Sequence, residues 1–389
     1  MLVSGVCAGG VLGTRTVTVT ARDHDYADIP VSTLITPPEG FKGVAMRASN
    51  GLVVACQHRL EGKKINLTWI VDSLKKGTSR SYRVEFSPLA VVKHDPAVMV
   101  EKVTNTVGVF ISRSSFTTLN FADGPKPYFY PIMGPTGDPV TRSYPMQKVE
   151  GETSDHPHHR SWWFTHGSVN GIDFWSESEK AGRIFQTKIE LLESGDVMGR
   201  IRTANDWVAP TGETVCQDVR EVRIYNTSNG RLLDFNVTIR AMEGPVTFGD
   251  TKEGMMGFRV ASSMDADRGG HIVNSRGQKD ADTWGMPAEW CDYYGPMYGR
   301  TVGIAVMDHP SSFRHPTYWH VRTYGLFAAN PFGLKDFPNG KGKDGSHTIP
   351  AGGEMRFRYR IFIHEGTTDQ ANIARVQAGY AAPPVVSVR

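Results

Sequence analysis

A chain of 389 residues with 39% hydrophobic and 21% charged side chains has the composition of a globular protein of one or two domains. A formal net charge of +3, without a Lys/Arg run, argues against nucleic acid as a partner, and no stretch reaches the ~18 apolar residues of a membrane-spanning helix. Cys7, Cys56, Cys216 and Cys291 lie far apart with no C-x-x-C, which excludes a zinc knuckle and a disulfide framework and leaves open only an isolated cross-link such as Cys216–Cys291.

Residues 1–14 are apolar and rich in small side chains, and read as a signal remnant or a disordered start. The expected location is periplasmic or extracellular, and because the stretch lacks a basic n-region the cytoplasm is the alternative. Residues 15–92 predict a small β domain. Val17 and Val19 alternate with threonines, and Tyr82, Val84 and Phe86 alternate with Arg83 and Glu85, between turn clusters at 37–40 and 75–78. Residues 93–389 predict a second, larger β unit. Its clearest strands set Leu233, Phe235, Val237 and Ile239 against Asp234, Asn236 and Thr238, and Met355, Phe357, Tyr359, Ile361 and Ile363 against Arg356, Arg358 and Arg360. Only the end is helical in pattern: Thr367 or Thr368 can cap a segment with Ile373, Val376 and Tyr380 on one face. The class is therefore all-β, a large antiparallel β-sandwich preceded by a small β-sandwich domain.

Chemistry concentrates in residues 155–175, which hold four of the 13 histidines and three of the eight tryptophans. Imidazole titrates closest to neutrality, so His156, His158, His159 and His166 are candidates for proton transfer, and Trp162, Trp163 and Trp175 could wall a cleft. Arg160 and Asn170 would add polar contacts. Each aromatic could equally be plain core. A second block at 308–325 repeats Asp-His-Pro and adds His309, Arg314, Trp319, His320 and Arg322. Two such loops converging on one cleft would each supply acids, bases and aromatic walls. Glu253, in a charged turn after a strand, is the carboxylate to pair with a histidine, and Trp284 and Glu289 belong to a weaker patch. On an extended strand His156 and His158 would share a face, so a divalent metal held by His156, His158 and His309 is a further expectation. No dinucleotide fingerprint, P-loop or G-x-S-x-G elbow is present, which argues against nucleotide cofactors and a serine hydrolase.

The stretches YFYPIMGPTGDPVTRSYP, DHPHHRSWWFTHGSVNGIDFW, GPVTFGDTKEG and VGIAVMDHPSSFRHPTYWHVRTYGLFAANPFG closely resemble the DUF6807 family, often labelled "methane oxygenase PmoA". The resemblance covers roughly residues 100 to 365. It implies a β-supersandwich of the galactose-mutarotase-like kind, found in bacteria near sugar oxidoreductases and isomerases, with a His acid and a Glu or Asp base. The oxygenase label does not fit a chain with no spanning segment, since particulate methane monooxygenase subunits are embedded in the membrane. The expectation is thus a carbohydrate-active enzyme that acts by His/Glu general acid–base chemistry on a glycoside or a 3-keto sugar, by hydrolysis or β-elimination. A non-catalytic sugar-binding protein is the alternative, and a copper- or iron-dependent oxygenase the third. The partner would be a small molecule or an oligosaccharide.

Overall fold

The computed structural model describes residues 10–90, 94–340 and 342–389. Two antiparallel eight-stranded sheets pack face to face. The first contains the central strands Trp162–His166, Gly254–Arg259 and Leu326–Ala329, with Trp319–Val321 at its edge. The second runs from Arg183–Glu193 across Met198–Val208, Thr214–Tyr225, Arg231–Arg240 and Glu354–Glu365 to Arg300–Asp308, Trp290–Met297 and His271–Asn274. Alternation works as the sequence predicts: Leu233, Phe235, Val237 and Ile239 meet Phe357, Tyr359 and Ile361 in one continuous core between the sheets. The chain is all-β in class, and among the described residues no helix is long and apolar enough to cross a membrane.

The opposite face of the second sheet departs from expectation. Asp234 and Arg360, on the polar side of their strands, are buried and paired at 2.7 and 3.0 Å. They are covered because the N-terminal unit and the C-terminal helix lie over them. That unit is a sandwich of a five-stranded and a three-stranded sheet with its own core around Val17, Leu67, Trp69 and Phe86. Its first strand, Gly13–Thr20, begins inside the stretch read as a signal remnant, and residues 1–9 lie outside the described residues. The strand Val385–Val388 pairs with Gly13–Thr20 and so adds an edge strand to the N-terminal sheet.

The helical end is split. Thr367 forms a capping box with Gln370, and Asn372, at φ 54°, interrupts the helix before Ile373–Ala381. Cys216 and Cys291 are both buried and free, which rules out the cross-link left open by their spacing.

Candidate functional site

A cleft of about 410 Å³ opens on the outer face of the first sheet. It is built where the sequence blocks meet: His156, His158 and His159 from one loop, Asp173 and Trp175 from the next, Lys252 and Glu253 from the charged turn, and His320, Arg322 and Tyr324 from the second block. Strand parity decides which aromatics reach this side. Trp162 and Phe164 point into the core, whereas Trp163 points outward and joins Tyr128, Trp175, Leu326 and Ala328 beneath the cleft. Trp319 and Val321 are likewise core, and His320 between them faces out. The indole of Trp163 lies across Gly257, where a Cβ would stand 2.8 Å from the ring, so only glycine permits this seat.

The loop 155–160 is not a strand. His156 has φ 46°, a left-handed conformation, and the backbone N–H of His159 donates to the His156 carbonyl at 3.0 Å. The turn stacks His156 on His159 (4.8 Å, 4°), His159 on Trp163 (5.3 Å, 13°), and His156 on Tyr324 (5.2 Å, 5°). Two fully buried guanidiniums hold it from below. Arg142 donates to Asp155 Oδ1 at 2.5 Å and to the His156 carbonyl at 3.1 Å. Arg259 donates to both Asp155 oxygens, at 2.8 and 3.2 Å. Partial burial opposes the charge of Asp155, but the hydrogen bond from His156 and the charges of Arg259 and Arg142 outweigh it and hold this carboxyl well below the usual range.

Hydrogen-bond partners assign the ring protons. An ionised Asp155 can only accept, so His156 Nδ1 donates to it and, in the neutral ring, Nε2 carries the lone pair. Arg259 can only donate, so His159 Nδ1, 3.2 Å from its Nη1, accepts, and the proton of the neutral ring sits on Nε2. Trp284 likewise donates to His320 Nδ1 at 2.9 Å, which leaves His320 with an Nε2–H. Burial, aided by neighbouring positive charge, lowers His158 to about 4, His320 to about 3, and His159 well below its ordinary value, so these rings stay neutral. One imidazole is thus poised as an acceptor and two as donors at a single cleft.

Other expected residues serve elsewhere. His309 is not in the cleft. It lies on the far face of the second sheet beside Arg358 and Tyr380, which breaks the expected His156–His158–His309 metal set. Among the described residues no three His, Cys, Asp or Glu side chains are grouped to hold a metal ion. His166 is fully buried, with Nε2 on the Gly249 carbonyl at 2.8 Å, and burial lowers it to about 4. Arg160 is committed to Glu177 at 3.0 Å, and Arg314 to the carbonyls of Pro331, Gly345 and Ser346. Asn170 Oδ1 accepts from the Thr247 N–H, Glu289 binds Ser275 and Arg276, and Trp319 donates to the Ala288 carbonyl within the core. Arg322 lies over the rings of Trp284 and Tyr324, at 5.1 and 5.9 Å, and has no carboxylate partner among the described residues. Tyr324, Lys252 and Asp173 join the cleft without having been singled out. Arg259 gave one faint signal, a lone charge in the apolar run Gly254–Val260.

No curated protein matches the sequence. Solved structures similar to it include an alpha-mannosidase from Enterococcus faecalis V583, with 10% identity and a TM-score of 0.43 over 97% of this chain and 46% of that one. A Glycosyl Hydrolase Family 38 protein from Enterococcus faecalis gives 9% and 0.41 over 97% and 47%. A galactose mutarotase-like protein from Lactobacillus casei ATCC 334 gives 9% and 0.33 over 69% and 100%. The chain spans about half the length of the first two, and TM-scores this low do not establish a shared fold. The family described as "Family of unknown function (DUF6807)", a description that says nothing of oxygenase chemistry, matches residues 106–378. With that match covering well over half of its length, the chain belongs to the DUF6807 family.

Proposed function

We propose that this protein is a carbohydrate-active enzyme whose cleft performs general acid–base chemistry on an oxidised (keto) sugar glycoside, by β-elimination in preference to hydrolysis. The observation that carries this reading is the sorted protonation of three imidazoles around one cleft. His156 Nε2, backed by Asp155, is the base for a C–H proton acidified by a neighbouring carbonyl. The Nε2–H groups of His159 and His320, with the unpaired Arg322, suit the oxygen on which enolate charge develops. The electron pair of the broken C–H bond forms the new double bond as the C–O bond to the leaving group breaks. The departing oxygen takes its proton from the His156 imidazolium, which restores the base.

Hydrolysis by a pair of carboxylates has less support. Asp173, one of the two carboxylates lining the cleft, is occupied by the N–H groups of Trp175 and Ser176, at 2.7 and 3.1 Å, and by the Ser176 hydroxyl. That leaves Glu253, paired with Lys252 at 3.2 Å, to hold sugar hydroxyls. A volume of about 410 Å³ lies in the range of small-ligand sites, and a wall mixing ring faces with charges of both signs suits a polyhydroxylated ring.

The test is a turnover screen of the purified protein against 3-keto-glycosides and unmodified glycosides, with and without chelator, repeated for His156→Ala. Elimination predicts an unsaturated keto product and a loss of about 10²- to 10⁴-fold in kcat for the variant, with substrate affinity largely kept. Turnover untouched by the substitution refutes the assignment, and tight sugar binding with no turnover of any substrate leaves a binding protein.

A further inference from the structure

The Asp-His-Pro block whose His309 misses the cleft belongs to a second cavity. It is about 200 Å³ in volume and lies on the opposite side of the sandwich, between the three-stranded N-terminal sheet and the outer face of the second eight-stranded sheet. Its floor is a cationic ladder. Arg200 and Arg223 are direct cross-strand partners, Arg223 pairs in register with Asp234, and Asp234 with Arg360. Like charges placed opposite each other destabilise a sheet unless something bridges them. Glu221 does so, accepting from Arg200 at 2.9 Å and from Arg223 at 2.7 Å, while Glu193 takes the other end of Arg200 and Asp234 takes Arg360. These three carboxylates are thereby spent on Arg200, Arg223 and Arg360.

Arg358, the fourth arginine that this sheet gives to the cavity lining, has no carboxylate partner among the described residues. Its Nη1 donates to Ser311 Oγ at 3.0 Å and lies 3.3 Å from His309 Nδ1. The Ser311 N–H also donates to that nitrogen, at 3.0 Å, so the proton of neutral His309 is on Nε2 and the ring is a further donor. Two other lining side chains are more than nine-tenths buried with donors left over: Arg200 Nε and the Tyr380 hydroxyl find no partner among the described residues. Asn66 Oδ1, on the same wall, is an acceptor without a partner among the described residues. Buried donors without acceptors cost free energy, and beside them Arg358 offers an exposed guanidinium that no carboxylate neutralises among the described residues. An acceptor-rich anion is the group that would satisfy both, and Asn66 could take a hydroxyl from it.

We propose that this interdomain cavity is a second ligand site, for a small oxoanion, either inorganic phosphate or sulfate or the carboxylate end of a sugar acid. It bridges the N-terminal unit and the sandwich, so its occupant stabilises their contact. The site is independent of the histidine cleft. His156→Ala should bind the anion as the wild type does, and failure of either reading leaves the other standing.

The experiment is calorimetric titration and thermal unfolding of the full chain with phosphate, sulfate and glucuronate, against sodium chloride at matched ionic strength. Saturable one-site binding and a raised Tm are expected from at least one of the three. Tighter binding of glucuronate would identify the sugar-acid source, and tighter phosphate or sulfate the inorganic one. Arg358→Ala, at an exposed position that should not disturb folding, is expected to weaken binding about tenfold or more. Tyr380→Phe, which removes the orphan hydroxyl and keeps the ring, should weaken it about fivefold. The proposal is overturned if none of the three anions differs from chloride, or if Arg358→Ala binds them as tightly as the wild type.

Discussion

Replacing His320 with glutamine tests the protonation pattern of the cleft directly. His320 is 2% exposed, accepts from the Trp284 indole through Nδ1, and has its pKa lowered to about 3, first by burial and then by Arg322 and Lys252. In the unfolded chain an imidazole titrates near 6.5. Between these values the unfolded state binds more protons than the folded one, so stability rises with pH across the window. The contribution of His320 is complete above about pH 6.5 and decays as the pH falls toward about 3. Each pH unit well inside the window is worth ~1.4 kcal/mol, so lowering the pH from 8 to 5 should remove roughly 2 kcal/mol through this side chain alone. Glutamine does not titrate, and its amide oxygen can still accept from Trp284. Denaturant unfolding of wild type and His320→Gln at intervals from pH 8 to 5 reads the effect as a difference of differences. The stability of the wild type relative to the variant should fall by roughly 2 kcal/mol over that range, about four-fifths of it below pH 6.5. Parallel profiles would mean that His320 keeps an ordinary pKa in the fold, and its role as a neutral Nε2–H donor would go with them.

Asp155→Asn leaves two buried guanidiniums sharing one neutral oxygen and lets the His156 ring take the wrong tautomer. Turnover should fall about 10²- to 10⁴-fold, and calorimetry should show a stability loss of about 1–3 kcal/mol, modest because the Asp155 side chain is 40% exposed. Gly257→Ala would push a methyl against the Trp163 indole and shift the ring that supports His159. A loss of ~1–3 kcal/mol in denaturant unfolding, with a changed near-UV tryptophan signal, is expected. His309→Ala should leave kcat/KM for the proposed reaction unchanged, because this ring lies across the sandwich from the cleft, and a large loss in steady-state assays would show that the two faces are coupled.

Strand positions were legible in the sequence because alternation reports a core on one side of a sheet, and Leu233 to Ile239 and Met355 to Ile363 behave accordingly. What lies on the other side was not. Asp234 and Arg360 look like solvent-facing charges in the one-dimensional pattern, yet they form a buried pair under a domain that begins more than 200 residues earlier. The parity rule also carried information that density of aromatics concealed: adjacent residues on a strand face opposite ways, so of Trp162 and Trp163 only one could have reached the cleft.

The repeated Asp-His-Pro shows where local reading ends. In the first copy Asp155 binds its neighbour His156 and is anchored by Arg142 and Arg259. In the second, Asp308 turns away from His309 and binds His315 Nδ1 at 2.8 Å and the Thr317 N–H at 2.9 Å. The same three residues therefore give a carboxylate-backed imidazole at the cleft in one place and a buried structural clamp in the other. What separates them is Arg259, about a hundred residues along the chain from the Asp155 and His159 it holds, a partner that spacing cannot supply and that only the pairing of Trp162–His166 with Gly254–Arg259 brings into reach.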